Sequence, residues 1–189
     1  MNYVGELGWE LHIPVECALA VYERLMEAVR PHGIANAGYR AIESLRLEKG
    51  YRAWGADIGP DYTPLEAGQG WAVKLAKEIP FMGRDALLTQ RSRPLGKRLA
   101  GFTVDDPNVV LLGREMIYRN GERVGWLSSA GWGYTLGKNI EFGYVRNEKG
   151  VENAMLNSGR YELEVAAERM ACTLHLAPLY NPRGERVRA

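Results

Sequence analysis

The sequence predicts an α+β fold, with helices in the first half of the chain and a small antiparallel β-barrel or sandwich in the second. Three observations carry that prediction. Apolar residues recur at helical spacing in the first fifty positions, whereas beyond residue 93 short alternating runs follow one another with glycine-rich connections. Asn120-Gly121 separates two of those runs, and both residues tolerate the positive φ of a tight hairpin turn. With 189 residues, 46% hydrophobic and 25% charged, the chain is long and apolar enough to bury a core without disulfides.

In chain order, residues 9–13 alternate, with Trp9, Leu11 and Ile13 on one face and Glu10 and His12 on the other. This is the period of a half-buried strand, and it points Glu10 away from the core. From Pro14 the residues Ala18, Val21, Tyr22, Leu25, Met26 and Val29 form a helical stripe that stops at Pro31-His32-Gly33. A second helix is predicted over 38–49, with Ala41, Ile42 and Leu45 on its buried side and Gly50 ending it in a left-handed turn. Residues 51–64 carry Gly55, Gly59, Pro60 and Pro64 and read as an ordered loop. A short helix follows Pro80 across GRDALLTQR, and the basic stretch RSRPLGKR reads as a linker with a boundary near Arg93. Strands are then predicted at RLAGFTV, EMIYR, ERVGWLSS, IEFGYV, YELEV and MACTLHL. No repeat or low-complexity segment interrupts them.

Several function classes are excluded. Lys+Arg 24 against Asp+Glu 23 leaves a net charge of +1, without the phosphate attraction on which nucleic-acid binders depend. No apolar run approaches the ~20 residues needed to cross a bilayer, so no membrane partner is expected. Cys17 and Cys172 lie far apart and the three histidines are scattered, so no metal site is expected and both thiols read as reduced, in a cytosol-like compartment. Dinucleotide, Walker and nucleophile-elbow motifs are missing; the glycines of YVGELGWE and SSAGWGYTLG suit turns and bulges better than phosphate cradles. Met1-Asn2 leads straight into the strand-like YVGELGWELHIP, which suits a fragment. Apolar surface near Trp9, Leu11 and Trp71 would then favour self-association into a homo-oligomer.

The chemistry-bearing feature is the pair Tyr3 and Glu10 flanking two glycines. If the glycines turn the chain, a phenol and a carboxylate converge on one small ligand, the carboxylate accepting paired N–H donors such as those of a pterin. From pattern alone, an edge aromatic and a solvated carboxylate is the simpler reading.

YVGELGWE resembles the Tyr-Thr-Gly-Glu-x-Gly-x-Glu signature of the aminomethyltransferase family, the folate-dependent T-protein of glycine cleavage and its relatives. AGYRAIESLRLEKGYRAWGADIGPDYTPLEAGQGWAVKL and PFMGRDALL resemble the same family in the same order. GYRAIESLRLEKGYRAWG, IYRNGERVG and GYTLGKNIEFGYV resemble more closely the C-terminal part of sarcosine and dimethylglycine dehydrogenases, flavoenzymes in which a folate module follows an FAD-containing half. The resemblance implies that residues 1–92 are the C-terminal part of the folate-binding α/β domain and residues 93–189 the C-terminal β-barrel. It implies tetrahydrofolate as ligand, FAD in an upstream domain, and transfer of a one-carbon unit to give 5,10-methylenetetrahydrofolate.

Carried over by residue, the resemblance makes Tyr3 a folate contact, Glu10 the pterin-binding glutamate, Glu6 a structural carboxylate bonding backbone amides, and Tyr180 of APLYNP an aromatic brought to the folate site. Two departures follow. The T-protein arginine that contacts folate falls at Ile42, leaving Arg40 as a substitute, and the family's catalytic aspartate and its asparagine neighbour belong to a preceding segment. No catalytic residue is therefore assigned, and the chain alone is expected to be inactive. A T-protein fragment and a non-catalytic regulatory or interaction module are the alternatives. Location is expected to be cytoplasmic in a bacterium, or the mitochondrial matrix in a eukaryote.

Overall fold

The computed structural model describes residues 3–188. Among them, helix α1 (Val15–Val29) opens after Pro14, passes into a 3-10 turn (Arg30–His32), and is stopped by Gly33 in the left-handed region. Helix α2 (Tyr39–Lys49) runs from Gly38 to a left-handed Gly50, as the sequence predicts. A loop with a 3-10 turn (Gly70–Ala72) leads to α3 (Arg84–Arg91). Residues 92–96 join α3 to the barrel.

The six predicted strands all form: β1 (Lys97–Val104), β2 (Met116–Arg119), β3 (Glu122–Gly133), β4 (Lys138–Arg146), β5 (Tyr161–Val165) and β6 (Glu168–His175). They close into an antiparallel barrel in the order β1-β4-β3-β2-β5-β6, with β6 returning to β1 and a short helix α4 (Asn153–Asn157) before β5. Barrel, not sandwich, is the outcome. The β2–β3 hairpin turns at Asn120 (φ 52°) and Gly121 (φ 86°). By contrast, β5 and β6 are joined through Ala166 (φ 49°) and Ala167 (φ 69°), two residues with no sequence signal for such a turn.

Strand alternation builds two cores. Phe102, Ile117, Leu127, Val145 and Leu163 are fully buried inside the barrel. On the outside of β1 and β4, Leu99, Ile140, Phe142 and Tyr144 pack with Leu47 of α2, seating the helix on the barrel wall. Glu141 shares the inward parity of Val145 and is buried, with neither oxygen hydrogen-bonded among the described residues.

Three expectations are corrected. Residues 9–13 form no strand: among the described residues nothing pairs with them, and Trp9 stands 80% exposed, because an alternating row becomes a strand only when another strand satisfies its backbone. The stripe on α1 is helical but not covered, and no residue of α1 is buried. On α2, Ala41, Ile42 and Leu45 are only half-buried, whereas the deeply buried residues are Arg46, Leu47, Glu48 and Lys49. The last turn of α2 sinks into the barrel junction, where its charges find partners.

Candidate functional site

The segment beginning at Tyr3 lies over the end of α2. Gly5 adopts φ 79° and sits so close to Lys49 that an added Cβ would come within 2.7 Å of the lysine Cγ, so only glycine fits. The Tyr3 ring stacks on Tyr51 with centroids 5.9 Å apart and planes 17° apart. Its hydroxyl is buried and has no hydrogen-bond partner among the described residues. Burial pushes this phenol's pKa up, while the Arg46 guanidinium pulls the other way.

Beneath it lies a charged network. Arg46 Nη1 is 2.7 Å from Asp57 Oδ2, and Glu43 holds the other side of the guanidinium at 2.8 Å. Asp57 also accepts from Ser128 (2.5 Å), Ser129 (2.7 Å) and the Ala53 N–H (2.9 Å), while Tyr144 donates to its carbonyl at 2.9 Å. Arg46 further donates to the carbonyl of Tyr51 at 3.3 Å, tying the network to the residue on which Tyr3 stacks. Two turns of chain, α2 and the 51–58 loop, are thereby pinned to β3 and β4.

A third segment closes from the C-terminus. Tyr180 donates its hydroxyl to Glu6, whose other oxygen lies 3.7 Å from Arg186. The Tyr180 N–H donates to the Glu48 carbonyl at 3.0 Å, and Lys49 Nζ donates to the Asn181 carbonyl. The Glu48 carboxylate in turn accepts from the Thr135 (2.6 Å) and Leu136 (3.2 Å) N–H groups at the β3–β4 turn.

The structure thus brings Tyr3 and Tyr180 to the same end of α2, on separate partners. Glu10 stands apart: it is exposed, makes no hydrogen bond among the described residues, and lies 3.7 Å from His12 Nε2. The Glu6 carboxylate holds Tyr180 and Arg186. Sequence reading missed Arg46, Glu48 and Asp57. The available signal was the adjacency of Arg46 and Glu48 to the helix-ending Gly50, a place where buried carbonyls and N–H groups need charged partners.

Residues 1–77 match the family model of the GCVT N-terminal domain, and residues 97–181 match that of the glycine cleavage T-protein C-terminal barrel domain. The chain belongs to the aminomethyltransferase, or glycine cleavage T-protein, family. It is 45% identical over 190 residues to mitochondrial sarcosine dehydrogenase of Mus musculus, a match covering 100% of this chain and 21% of that protein. It is 42% identical over 190 residues to the mitochondrial pyruvate dehydrogenase phosphatase regulatory subunit of Mus musculus, covering 95% of this chain and 22% of that protein. Glycine cleavage system aminomethyltransferase T from Bartonella henselae shares the fold with a TM-score of 0.81 at 28% identity, over 96% of this chain and 48% of that one. The chain spans about a fifth of the length of these two curated relatives.

On α2, Ile42 is half-buried, while Arg40 is exposed. Remaining candidate groups have ordinary structural surroundings. His175 shares a 2.9 Å hydrogen bond with Thr103, and the half-buried Cys172 thiol is pushed up to about 12 by burial. Among the described residues no His, Cys, Asp and Glu cluster could hold a metal, and no helix is long and apolar enough to cross a membrane.

Proposed function

We propose that this chain is the tetrahydrofolate-binding portion of a sarcosine/dimethylglycine dehydrogenase-like protein, with residues 1–92 belonging to the folate domain and residues 93–189 forming its barrel. The observation that carries the reading is the sequence identity to sarcosine dehydrogenase along the whole chain. The local geometry supports it: Tyr3 offers a buried hydroxyl in want of a partner beside a stacked aromatic, and Glu10 offers an uncommitted carboxylate. A pterin supplies both a flat ring and paired N–H donors.

In this reading, FAD bound by another domain supplies the oxidation of an N-methyl amine to its iminium. The residues here hold and orient the acceptor. Tetrahydrofolate, when bound, would supply the nitrogen nucleophiles that take up the one-carbon unit and release the demethylated amine, with Tyr3 and Glu10 holding it. Holding both reactants in one protein raises the effective concentration of a species that water otherwise hydrolyses to formaldehyde. Tyr3 and Glu10 bind, Tyr180 stabilises the site through Glu6, and no residue of this chain is assigned proton transfer. The mitochondrial relatives favour the matrix for a eukaryotic source.

A second reading is favoured by the regulatory-subunit relative and by Ile42: a module that keeps the fold without folate chemistry. Titration of tetrahydrofolate into the protein that carries this chain decides between them. The folate reading expects saturable binding lost on Glu10→Ala; an absence of binding overturns it in favour of the regulatory module.

A further inference from the structure

Residues 3–14 include no helix or strand, yet Tyr3 and Glu6 occupy defined places over the end of α2. Tyr3 is placed by its stack on Tyr51, whereas Glu6 is held from the opposite end of the chain. Glu6 receives the Tyr180 hydroxyl and faces Arg186 at 3.7 Å, bridging 174 positions of sequence. The same C-terminal stretch is anchored independently, through Tyr180 N–H to Glu48, Lys49 to the Asn181 carbonyl, and Pro178 packed against Gly50 so tightly that an added Cβ would lie 3.0 Å from its Cγ. The result is three layers: residues 3–6, the end of α2, and residues 178–186.

We propose that Glu6 is a positioning residue, and that with Tyr180 and Arg186 it forms a clasp by which the C-terminal segment sets the conformation of the ligand-binding Tyr3–Glu10 segment. The ligand side of this proposal rests on the folate reading above. A short loop without secondary structure must otherwise be ordered when its ligand arrives, and that ordering subtracts from affinity. A carboxylate gripped by a phenol and a guanidinium orders it beforehand through charge-assisted contacts. Tyr180 then acts through Glu6 instead of touching ligand first, which explains why its hydroxyl points at the signature glutamate.

The test is amide hydrogen exchange, paired with tetrahydrofolate titration, on the protein that carries this chain, for wild type, Glu6→Ala, Glu6→Gln and Tyr180→Phe. Glu6→Ala should speed exchange of the distant Tyr180 and Gly184 amides by about tenfold, and leave β1 and β4 unchanged, because one hydrogen bond to a charged acceptor is lost. Glu6→Gln keeps an oxygen for the phenol and should restore most of the protection. Tyr180→Phe should loosen residues 3–8 reciprocally and serves where Glu6→Ala does not fold. In the titration, affinity should fall with protection, Ala more than Gln. If exchange at Tyr180 and Gly184 is unmoved in Glu6→Ala, the clasp is overturned whatever the ligand does. If exchange moves but the wild type binds no tetrahydrofolate, the folate reading falls and the clasp stands as a structural device. If exchange moves and wild-type binding is unaffected by Glu6→Ala, the positioning role is overturned.

Discussion

Arg46 and Asp57 form an ion pair 2.7 Å apart with their side chains only 3% and 0% exposed, at the seam where α2 meets the barrel. Desolvating two charges is costly, and the geometry offsets that cost by giving Asp57 two serine hydroxyls and a backbone N–H in addition to the guanidinium. The pair therefore specifies how the helical half sits on the barrel.

Asp57→Ala should destabilise the chain by about 3–5 kcal/mol, because it strips a buried guanidinium of one of its two carboxylates and removes the shared acceptor of Ser128, Ser129 and the Ala53 N–H. Adding Arg46→Met should recover only part, since Ser128, Ser129 and the Ala53 N–H still lose their acceptor. Urea unfolding of the wild type and the two variants measures both effects. A loss below ~1 kcal/mol for Asp57→Ala would place the pair among ordinary surface contacts.

Glu141 predicts a pH dependence. Its carboxyl faces the barrel interior, and burial, with the charge of Glu115 adding to it, raises its pKa from 4.5 to about 9. Glu115 itself is held below the usual carboxylate range by the N–H groups of residues 112–114, so it stays charged, while Cys172 stays a neutral thiol. The folded state keeps the Glu141 proton where the unfolded state releases it. No penalty exists below pH 4.5; between there and about 9 stability falls with rising pH, by up to ~1.4 kcal/mol per pH unit. Glu141→Gln should flatten that slope and be the more stable protein at pH 8. Parallel stability profiles for the two proteins would show that Glu141 finds a partner or water in solution.

The β5–β6 turn offers a gain. Ala166 and Ala167 both hold positive φ, a region where a Cβ is strained, whereas the chain's other tight hairpin uses Asn120-Gly121. Replacing Ala166-Ala167 by Asn-Gly should raise stability by roughly 1 kcal/mol, read as a higher melting temperature. An unchanged or lower melting temperature would mean that the turn relaxes to another geometry.

These features mark where the sequence was legible. Strands announced by alternation, the Asn120-Gly121 turn and the Gly50 stop all form as read, because each rests on local backbone preference or period. Residues 9–13 misled because alternation states which face is apolar, not whether a neighbouring strand exists. Arg46, Asp57 and Glu48 were invisible because their burial depends on contacts across 71 to 88 positions. Tyr3 could be singled out from its spacing to Glu10, but the link from Glu6 to Tyr180 joins the two ends of the chain and has no local signal.

Fold and ligand make separable demands on Tyr3, Glu10 and Ile42. Tyr3 buries a hydroxyl with no partner among the described residues, so Tyr3→Phe should leave the free protein as stable or up to ~1 kcal/mol more stable. If the ligand supplies that partner, the same change should weaken tetrahydrofolate binding, so that stability and affinity move in opposite directions. Glu10 is exposed and pairs only loosely with His12, so Glu10→Ala should leave stability unchanged. Its carboxylate facing two pterin donors is worth about 1.5–3 kcal/mol, so the same variant should bind tetrahydrofolate roughly tenfold to a hundredfold more weakly, a larger loss than Tyr3→Phe. Ile42→Arg, the change that the resemblance to the T-protein suggests, places a cation on a half-buried face of α2 and should strengthen binding only where the ligand carries the matching negative charge. Calorimetry of the three variants in the protein that carries this chain, alongside their melting temperatures, tests all of this. Equal affinity in wild type and Glu10→Ala would return Glu10 to a solvated carboxylate and leave the regulatory module as the better account of the chain.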